Sequence, residues 1–304
     1  MPPGSAELAI DVAHLAKSYG ELVAVADLSL SIAHGETFGF LGKNGAGKTT
    51  SVKMLLGLTR ATSGNGALLG KPLGDRGARA KVGYLPELFR YHDWMSAREE
   101  LVFHAGLAGV PHVDRERRIA EVLDLVGLAK RANDPIGTYS KGMQQRVGIA
   151  VAVLAMPDLV FLDEPTSALD PVGRRDVREM VRALKERGVT VFLNSHLLSE
   201  VEQMCDRVAI VDRGRIVASG TLAEVIGGAV GMRVRLGESS EGAMRILQSY
   251  GTVSISGEWH VVTGAGPDVV PALIRELATA GVAIYAVEPL KATLEERFME
   301  VMHA

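Results

Sequence analysis

The stretch Gly42-Lys43-Asn44-Gly45-Ala46-Gly47-Lys48-Thr49-Thr50 decides the fold, because it matches the phosphate-binding template G-x-x-x-x-G-K-[ST] at every fixed position. An apolar run at residues 37–41 precedes it as a buried strand would, and residues 51–56 follow it at helical spacing. This context favours a nucleoside-triphosphate cradle over an ordinary glycine-rich turn, since glycines let the backbone N–H groups turn toward an anion. Lys48 is expected to reach the β- and γ-phosphates, and the Thr49 hydroxyl to bind Mg²⁺.

The composition limits the class of protein. The chain has 304 residues, enough for one large core with a small second domain, or for two modest domains. Its 33 Lys and Arg against 36 Asp and Glu give a net charge of −3, which argues against nucleic acid as the main partner. The single cysteine, Cys205, fits a reducing cytoplasm. Residues 1–7 do not resemble a signal peptide, and the longest uncharged apolar run, residues 147–156, is shorter than the roughly 20 residues that span a bilayer.

A second strong pattern is Leu159-Val160-Phe161-Leu162-Asp163-Glu164-Pro165, in which an apolar run ends in two carboxylates. Neighbouring residues on a strand point to opposite sides, so the two acids can take different roles. We expect Asp163 to hold Mg²⁺ through water and Glu164 to act as the general base that polarises the attacking water. A helix N-cap followed by a turn would explain one carboxylate but not the pair.

A third buried strand is predicted at residues 189–193 and ends at Asn194-Ser195-His196. It follows the acid-bearing strand by one helix, and in a parallel sheet both strand ends meet at the same edge. A lone histidine is more often structural, but this placement favours contact between His196 and the γ-phosphate. Tyr19 is expected on a loop upstream of the phosphate cradle. It either stacks on an adenine or is an ordinary turn tyrosine, and this region alone favours neither.

Residues 94–157 show helical spacing and little strand character, which predicts a helical insertion in an α/β core. The insertion carries Tyr139-Ser140-Lys141-Gly142-Met143-Gln144-Gln145-Arg146 directly before an apolar helix. Ser140 fits either a helix N-cap or a hydroxyl that faces an anion, and both alternatives stay open. Upstream, residues 81–87 predict a strand that ends at a proline, so Glu87 should lie on the loop just beyond it.

Other strands should form at residues 8–12 and 22–32, with a turn at 17–20, and a hairpin at 207–217 should turn at Arg213-Gly214. They complete the predicted fold class: α/β, a P-loop NTPase core with an antiparallel β subdomain and the helical insertion.

The C-terminal part predicts a small α+β domain beyond a boundary at Gly227-Gly228. Its order of strand, helix, strand, strand, helix, strand and final helix matches a ferredoxin-like module, and it holds no catalytic constellation. The predicted bounds are strand 230–236, helix 241–250, strands 252–256 and 259–263, helix 268–280, strand 282–287 and a helix from Thr293. The predicted domains are residues 1–228, with a helical subdomain at about 88–157, and residues 229–304.

Residues 8–225 resemble the nucleotide-binding subunit of ATP-binding cassette (ABC) transporters. Residues 42–50 are similar to the Walker A motif of that family and residues 159–164 to Walker B, while Ser140-Lys141-Gly142-Met143-Gln144 takes the place of the usual Ser-Gly-Gly-Gln signature. Ser167-Ala168-Leu169-Asp170 resembles the D-loop. His196 corresponds to the switch histidine and Tyr19 to the adenine-stacking aromatic, which moves the expectation for Tyr19 toward stacking.

Two motifs depart from the family pattern. Glu87 stands where many members carry the Q-loop glutamine that touches Mg²⁺ and the membrane partner, so a charged acid there bears on metal affinity or coupling. Lys141 and Met143 alter the signature. With the form Tyr84-Leu85-Pro86-Glu87 and a C-terminal domain ending near residues 294–298, the chain resembles the drug, lipid and polysaccharide exporter branch.

The resemblance implies a mechanism and its partners. ATP and Mg²⁺ would be bound between two chains of a head-to-tail homodimer or pseudo-dimer at the cytoplasmic face of the membrane, and hydrolysis would drive a separate integral permease; no nucleic acid is expected. Each site would combine residues of one chain with two of the other: Lys48, Thr49, Asp163, Glu164 and His196 with Ser140 and Gly142. The alternatives are an importer subunit or a non-transport ABC ATPase acting on ribosomes or DNA. The sequence does not identify the cargo.

Overall fold

The computed structural model describes residues 8–167, 169–227, 231–237, 240–290 and 292–303. Contacts divide the chain into two compact units, one up to Leu222 and one from Ala223. The predicted boundary residue Gly228, Ala168 of the D-loop-like segment, residues 229–230 and residues 1–7 lie outside the described residues.

The first unit alternates strands and helices in the manner of an α/β core. Its elements are β1 (Leu8–Tyr19), β2 (Leu22–Ala33), β3 (Thr37–Leu41), α1 (Lys48–Leu55), β4 (Ser63–Leu68), β5 (Lys71–Pro72), α2 (Arg76–Arg79), β6 (Val82–Leu85), α3 (Ala97–Leu107), α4 (His112–Leu125), α5 (Lys141–Val153), β7 (Leu159–Asp163), α6 (Pro171–Glu186), β8 (Thr190–Asn194), α7 (Leu198–Met204), β9 (Arg207–Asp212) and β10 (Arg215–Thr221). Helix α8 (Leu222–Ile226) follows β10, and the division between the two units falls after its first residue.

These strands form one mixed sheet in the order β5-β4-β1-β2-β10-β9-β3-β8-β7-β6. From β9 to β6 neighbouring strands are parallel, whereas β1 pairs antiparallel with β2 and β4. Every residue of β3, β7 and β8 is buried, which explains their nearly continuous apolar sequences. Because parallel strands end at the same edge, the loops after β3, β7 and β8 converge there.

Phe192 of β8 is the centre of the core between these strands. Its ring lies 4.9 Å from that of Phe161, 5.3 Å from that of Phe40 and 6.0 Å from that of Phe38, measured between ring centroids. All four rings are at most 1% exposed. The cluster therefore fixes β3, β7 and β8 against one another, and with them the loops at their ends.

The predicted end of the first strand, at residue 12, and the predicted start of the following turn, at residue 17, were wrong. The turn expected at 17–20 does not begin at residue 17, because β1 continues to Tyr19 and pairs with Leu22 of β2. The chain turns at Gly20, whose φ of 60° suits glycine. Helix α1 begins at Lys48, within the phosphate loop, as predicted. The hairpin at Arg213-Gly214 is confirmed by the antiparallel pairing of β9 with β10.

The predicted helical insertion is confirmed as secondary structure. Residues 88–157, all of which the structure describes, contain α3, α4, α5 and two short 3₁₀ turns, with no strand. Ser96 opens α3 with a capping box: its hydroxyl accepts the Glu99 N–H, and the Glu99 carboxylate accepts the Ser96 N–H at 2.8 Å.

The second unit has the predicted element order. It contains β11 (Gly231–Leu236), α9 (Glu241–Tyr250), β12 (Thr252–Ser256), β13 (Trp259–Thr263), α10 (Val270–Thr279), β14 (Ile284–Leu290) and α11 (Leu294–His303). Its strands form an antiparallel sheet in the order β12-β13-β11-β14. Buried residues of β11, β13, α9 and α10 make a separate hydrophobic core, so this unit has packing of its own.

Phe192→Ala should lower the free energy of unfolding of the first unit by about 3–5 kcal/mol, because a buried ring is lost and the surrounding strands only partly close the cavity. Calorimetry of the full chain measures this as a fall in the first unit's transition temperature. Val172→Ala, at an exposed position of α6 (58% exposed), is the control and should leave that transition nearly unchanged. Equal transitions in the two variants would contradict a structural role for the aromatic cluster.

Candidate functional site

The phosphate loop between β3 and α1 depends on three glycines. Gly45 and Gly47 have φ of 82° and 99°, in the left-handed region that glycine adopts without strain. A Cβ at Gly42 would lie 2.5 Å from the Val211 carbonyl oxygen, and one at Gly47 would lie 2.4 Å from that of Ala24. The loop thus lies against backbone from distant parts of the chain, which leaves no room for side chains at Gly42 and Gly47.

The turn of the β9–β10 hairpin supports this loop. Gly214 donates its N–H to the Ala46 carbonyl at 2.9 Å, and its own carbonyl accepts the Ala26 N–H, also at 2.9 Å. A Cβ at Gly214 would lie 2.7 Å from the Ala26 nitrogen. One glycine therefore joins the phosphate loop, the hairpin turn and β2, and no larger residue fits in its place.

Lys48 is the buried cation of the site, with only 8% of its surface exposed. Its Nζ donates to the carbonyls of Gly42 at 2.6 Å and Lys43 at 3.2 Å. Burial lowers the pKa of the ammonium, and the charges of Glu164 and Asp163 act in the opposite direction. This electrostatic coupling is consistent with the prediction that Lys48 and the acids at the strand ends lie in one site.

Asp163 ends β7 and is paired in register with Asn194, the last residue of β8. The Asn194 Nδ2 donates to the Asp163 carboxylate at 2.5 Å. Burial is the main cause that raises the pKa of Asp163, and this hydrogen bond lowers it. Within the described residues, Asn194 Oδ1 is buried and has no hydrogen-bond partner. Asn194 belongs to none of the motifs that predict the site, although its place at the end of the neighbouring strand is a usable signal.

Glu164 and His196 form the second side-chain pair at this edge. His196 Nδ1 lies 2.8 Å from Glu164 Oε2, and the Ser195 hydroxyl lies 3.5 Å from the same oxygen. The carboxyl group is only 9% exposed, whereas the imidazole is 54% exposed. The predicted convergence of these strand ends is thus confirmed for Glu164 and His196.

The backbone of Glu164 has an uncommon conformation. Its φ is 51°, a left-handed value that costs a non-glycine residue on the order of 1–3 kcal/mol. The Glu164 N–H donates to the Asn194 carbonyl at 2.8 Å, and the Ser167 hydroxyl donates to the Glu164 carbonyl at 3.2 Å. These bonds hold the strained residue and direct its carboxylate toward His196.

Glu87 lies beyond β6, as predicted, and its side chain is exposed. Its negative charge contributes to raising the pKa of Asp163 and opposes the lowering of the pKa of Lys48. Burial, Asp163 and Glu87 together raise the pKa of the nearby Tyr84 to about 12. Glu87 is therefore electrostatically part of the same edge.

Tyr19 is at the end of β1 in the antiparallel part of the sheet. Its side chain is 49% exposed, and Lys17 Nζ lies 4.8 Å from the centre of its ring. A half-exposed aromatic face beside a cation remains available for stacking. The predicted contact with adenine stays a prediction.

Ser140 is the N-cap of α5, since its hydroxyl accepts the Met143 N–H at 3.3 Å. This confirms one of the two alternatives for Ser140 and leaves its role toward an anion untested. Gly142 lies in the first turn of α5, beside Leu169. In the described part of the chain, no hydrogen bond or ion pair joins Ser140 or Gly142 to the phosphate loop.

The residues present fit a nucleoside triphosphate with Mg²⁺. The glycine-restricted loop, the N-terminus of α1 and the Lys48 ammonium offer donors for phosphate oxygens. Thr49, in the first turn of α1 and exposed, offers a hydroxyl, and Asp163 offers the carboxylate oxygens that Mg²⁺ prefers. The remaining loop residues Lys43, Asn44, Gly45 and Thr50 are exposed or partly exposed around this cradle.

Fold and site together define a P-loop nucleotide-binding protein with a mixed sheet. Residues 25–167 match the model of the ABC transporter family. Over 274 residues the chain is 46% identical to an ABC transporter ATP-binding protein of Synechocystis, covering 90% of this chain and 76% of that protein. The chain therefore belongs to this family, as an ATP-binding subunit. The family binds nucleotide and hydrolyses ATP.

Further relatives carry more specific names. The Nod factor export ATP-binding protein I of Rhizobium is 33% identical over 97% of both chains, and the linearmycin resistance ATP-binding protein of Bacillus subtilis is 40% identical over 70% of this chain and 69% of its own length. A solved ATP-binding subunit of an ABC transporter superimposes with a TM-score of 0.65 at 30% identity, covering 71% of this chain and 91% of its own. Among the helices described, none is long and apolar enough to cross a bilayer.

Asp163→Asn should raise the midpoint of thermal unfolding near neutral pH. Because burial raises the folded-state pKa of Asp163, its ionised form costs stability above that pKa. The cost begins to disappear as the pH falls through the folded-state pKa and is gone below the pKa of the unfolded chain. The advantage of the variant should therefore shrink on acidification, which calorimetry at a series of pH values measures.

Asp124→Asn, on an exposed position of α4, is the matched control and should give no pH-dependent difference. A gain in Asp163→Asn that grows on acidification, or no gain at neutral pH, would contradict the burial argument.

Proposed function

We propose that this chain hydrolyses ATP to power an exporter-type ABC transporter whose transport pathway lies in a separate membrane permease. The observation that carries the proposal is the position of the Glu164 carboxylate, 2.8 Å from His196 at the edge that also bears Asp163. The backbone of Glu164 is strained, with a φ of 51°. Structural strain at a buried acid beside a histidine is typical of a site built for chemistry rather than for stability.

In this proposal Glu164 is the general base for the attacking water. His196 restrains the carboxylate and contacts the γ-phosphate, so that the proton acceptor and the reacting group are positioned together. Lys48 and the N–H groups of the phosphate loop bind the phosphates. Mg²⁺, held by Thr49 and through water by Asp163, would neutralise charge on the phosphate oxygens.

Glu87 is proposed to act on the metal side of the site. Its charge adds to the negative potential at Asp163. The two carboxylates together attract a divalent cation more strongly than Asp163 would alone. The exposed segment that begins at Glu87 is also the first part of the chain to enter the helical insertion. We therefore assign it the coupling of the nucleotide site to the permease.

Ser140 and Gly142 are proposed to complete the site of a second chain. Their position at the N-terminus of α5, where backbone N–H groups offer a partial positive charge, suits a γ-phosphate. The likeness of residues 140–144 to the signature motif of the family supports a head-to-tail homodimer or pseudo-dimer. ATP bound between the two chains would hold them together until hydrolysis.

The exporter assignment and the location rest on relatives. The printed names of the Rhizobium and Bacillus proteins refer to export and to antibiotic resistance. By analogy, this chain would work at the cytoplasmic face of a membrane. We assign the second unit, proposed as residues 229–304, to the ferredoxin-like class on its strand order, with a role in dimerisation or regulation.

Glu164→Gln should bind ATP but lose roughly 10²–10⁴-fold in turnover, because the amide cannot accept a proton from water. The variant should also accumulate as an ATP-dependent dimer. Phosphate release measures the first effect, and size-exclusion chromatography with and without ATP measures the second.

Glu186→Gln, on an exposed position of α6, is the matched control for turnover and should behave as the parent chain. Adding Ser140→Arg to Glu164→Gln should abolish the ATP-dependent dimer while ATP binding persists. An ATP-dependent dimer that persists in the Ser140→Arg variant would contradict the proposed place of the signature segment in the interface. Near-normal hydrolysis in Glu164→Gln would contradict the proposed role of Glu164 as general base.

Purification of the tagged chain from detergent-solubilised membranes should retain a stoichiometric multi-span membrane protein, identified by mass spectrometry. A permease is expected because the relatives of this chain are named as ATP-binding proteins of ABC transporters. Copurification of ribosomal or DNA-repair proteins instead would support the non-transport alternative, and an extracytoplasmic binding protein would support an importer. Lys48→Ala, prepared in parallel, should keep the permease, since the substitution removes a phosphate-binding group and changes no residue of the segment that begins at Glu87.

A further inference from the structure

A cleft of about 370 Å³ lies between the helical insertion and the core of the first unit. Its lining includes Asp158 and Val189, which immediately precede β7 and β8, whereas Asp163 and Asn194 end the same strands. The cleft is thus at the opposite edge of the sheet from the nucleotide site. Its volume is within the range of roughly 300–1,000 Å³ that is usual for small-molecule sites.

The floor of the cleft is aliphatic. It is made by Val122 and Leu125 of α4, Val153 of α5 and Leu184 of α6. Three of these side chains are at most 5% exposed: Val122, Val153 and Leu184. No aromatic side chain is among the described residues that line the cleft, so the surface suits a flexible alkyl chain better than a flat ring.

Met156 lines the same cleft and is 57% exposed. Its φ of 50° is uncommon for a residue other than glycine, asparagine or aspartate. An unbranched thioether adapts its shape to different apolar contacts. The exposed methionine therefore extends the apolar surface of the cleft beyond its buried floor.

The rim of the cleft is cationic, and its arginines differ in their partners. Arg117 is bonded to Asp114 at 2.8 Å and to Glu121 at 2.7 Å, while Arg118 lies 3.4 Å from the same Glu121. Arg187, just after α6, has an exposed side chain, and within the described residues no ion pair or hydrogen bond engages its guanidinium. The cleft therefore offers one uncompensated positive charge beside an apolar floor.

The acidic groups at the cleft are already matched. Asp158 is paired with Lys81 at 3.0 Å, and Glu121 accepts bonds from both neighbouring arginines. A ligand with one negative charge would thus meet Arg187 without facing an unpaired carboxylate. A ligand with several charges would find only one available cation.

We propose that this cleft binds an amphiphile with a single carboxylate and an alkyl chain, such as a medium-chain fatty acid. The carboxylate pairs with Arg187, whose planar guanidinium can bind it through two hydrogen bonds, and the chain lies on the aliphatic floor. The bound ligand contacts α4 and α5 of the insertion together with α6 of the core. It therefore stabilises arrangements in which the two sides of the cleft are in contact.

The test is calorimetric titration of the full chain with decanoate, kept below its micelle concentration, with decanol as the uncharged probe. We expect saturable binding of one decanoate per chain and at least tenfold weaker binding of decanol. Arg187→Gln should weaken decanoate binding about tenfold or more, because it removes a charge-assisted hydrogen bond. Arg182→Gln, at an exposed position of α6 outside the cleft, is the matched control and should bind as the parent chain does.

A second variant tests the floor independently of charge. Leu125→Trp, at a partly exposed position, should fill the cleft and abolish decanoate binding while the thermal transition of the first unit is kept. Absence of binding to the parent chain, equal affinity for decanoate and decanol, unchanged affinity in Arg187→Gln, or undiminished binding in a folded Leu125→Trp would each overturn the proposal.

Discussion

The parallel register between β7 and β8 is the constraint on which the site depends. It sets Asp163 opposite Asn194, and the residues that follow, Glu164 and His196, are then close enough for their side chains to meet. Both strands are fully buried and packed on one aromatic cluster, so neither end can move without disturbing the core. The buried strands, rather than the loops of the site, therefore fix the positions of its side chains.

Burial shifts the pKa values of the two main charged groups of this edge in opposite directions. It lowers the pKa of Lys48 and raises the pKa of Asp163, so in both cases the charged form is disfavoured. Each charge partly restores the ionised form of the other. Buried charges of this kind make the folded chain less stable than apolar residues would. Bound phosphate groups would neutralise the charge of Lys48, and a divalent cation would neutralise that of Asp163.

Much of the site could be predicted from sequence because its motifs are local. The loop at residues 42–50, the acids after an apolar strand and the histidine one strand later need only spacing and the rule that parallel strands end at one edge. The unexpected features depend on distant pairs: β1 extends to Tyr19 because β2 and β4 flank it, and Asn194 matters because it faces Asp163. The left-handed φ of Glu164 is likewise fixed by the neighbouring strand. The roles of Ser140, Gly142 and Tyr19 need nucleotide or a second chain, so they stay predictions.

The support of the phosphate loop by Gly214 has a consequence for biosynthesis. The glycine-rich motif is complete once residue 50 has been translated, yet its backbone lies against Ala24, Val211 and Gly214, and the last two are in place only after the β9–β10 hairpin forms. Contacts this far apart in sequence form late, because long loops must close first. A ribosome-bound chain that ends before Gly214 therefore carries the whole motif without part of the backbone that supports it, so the motif is translated long before the loop can be completed.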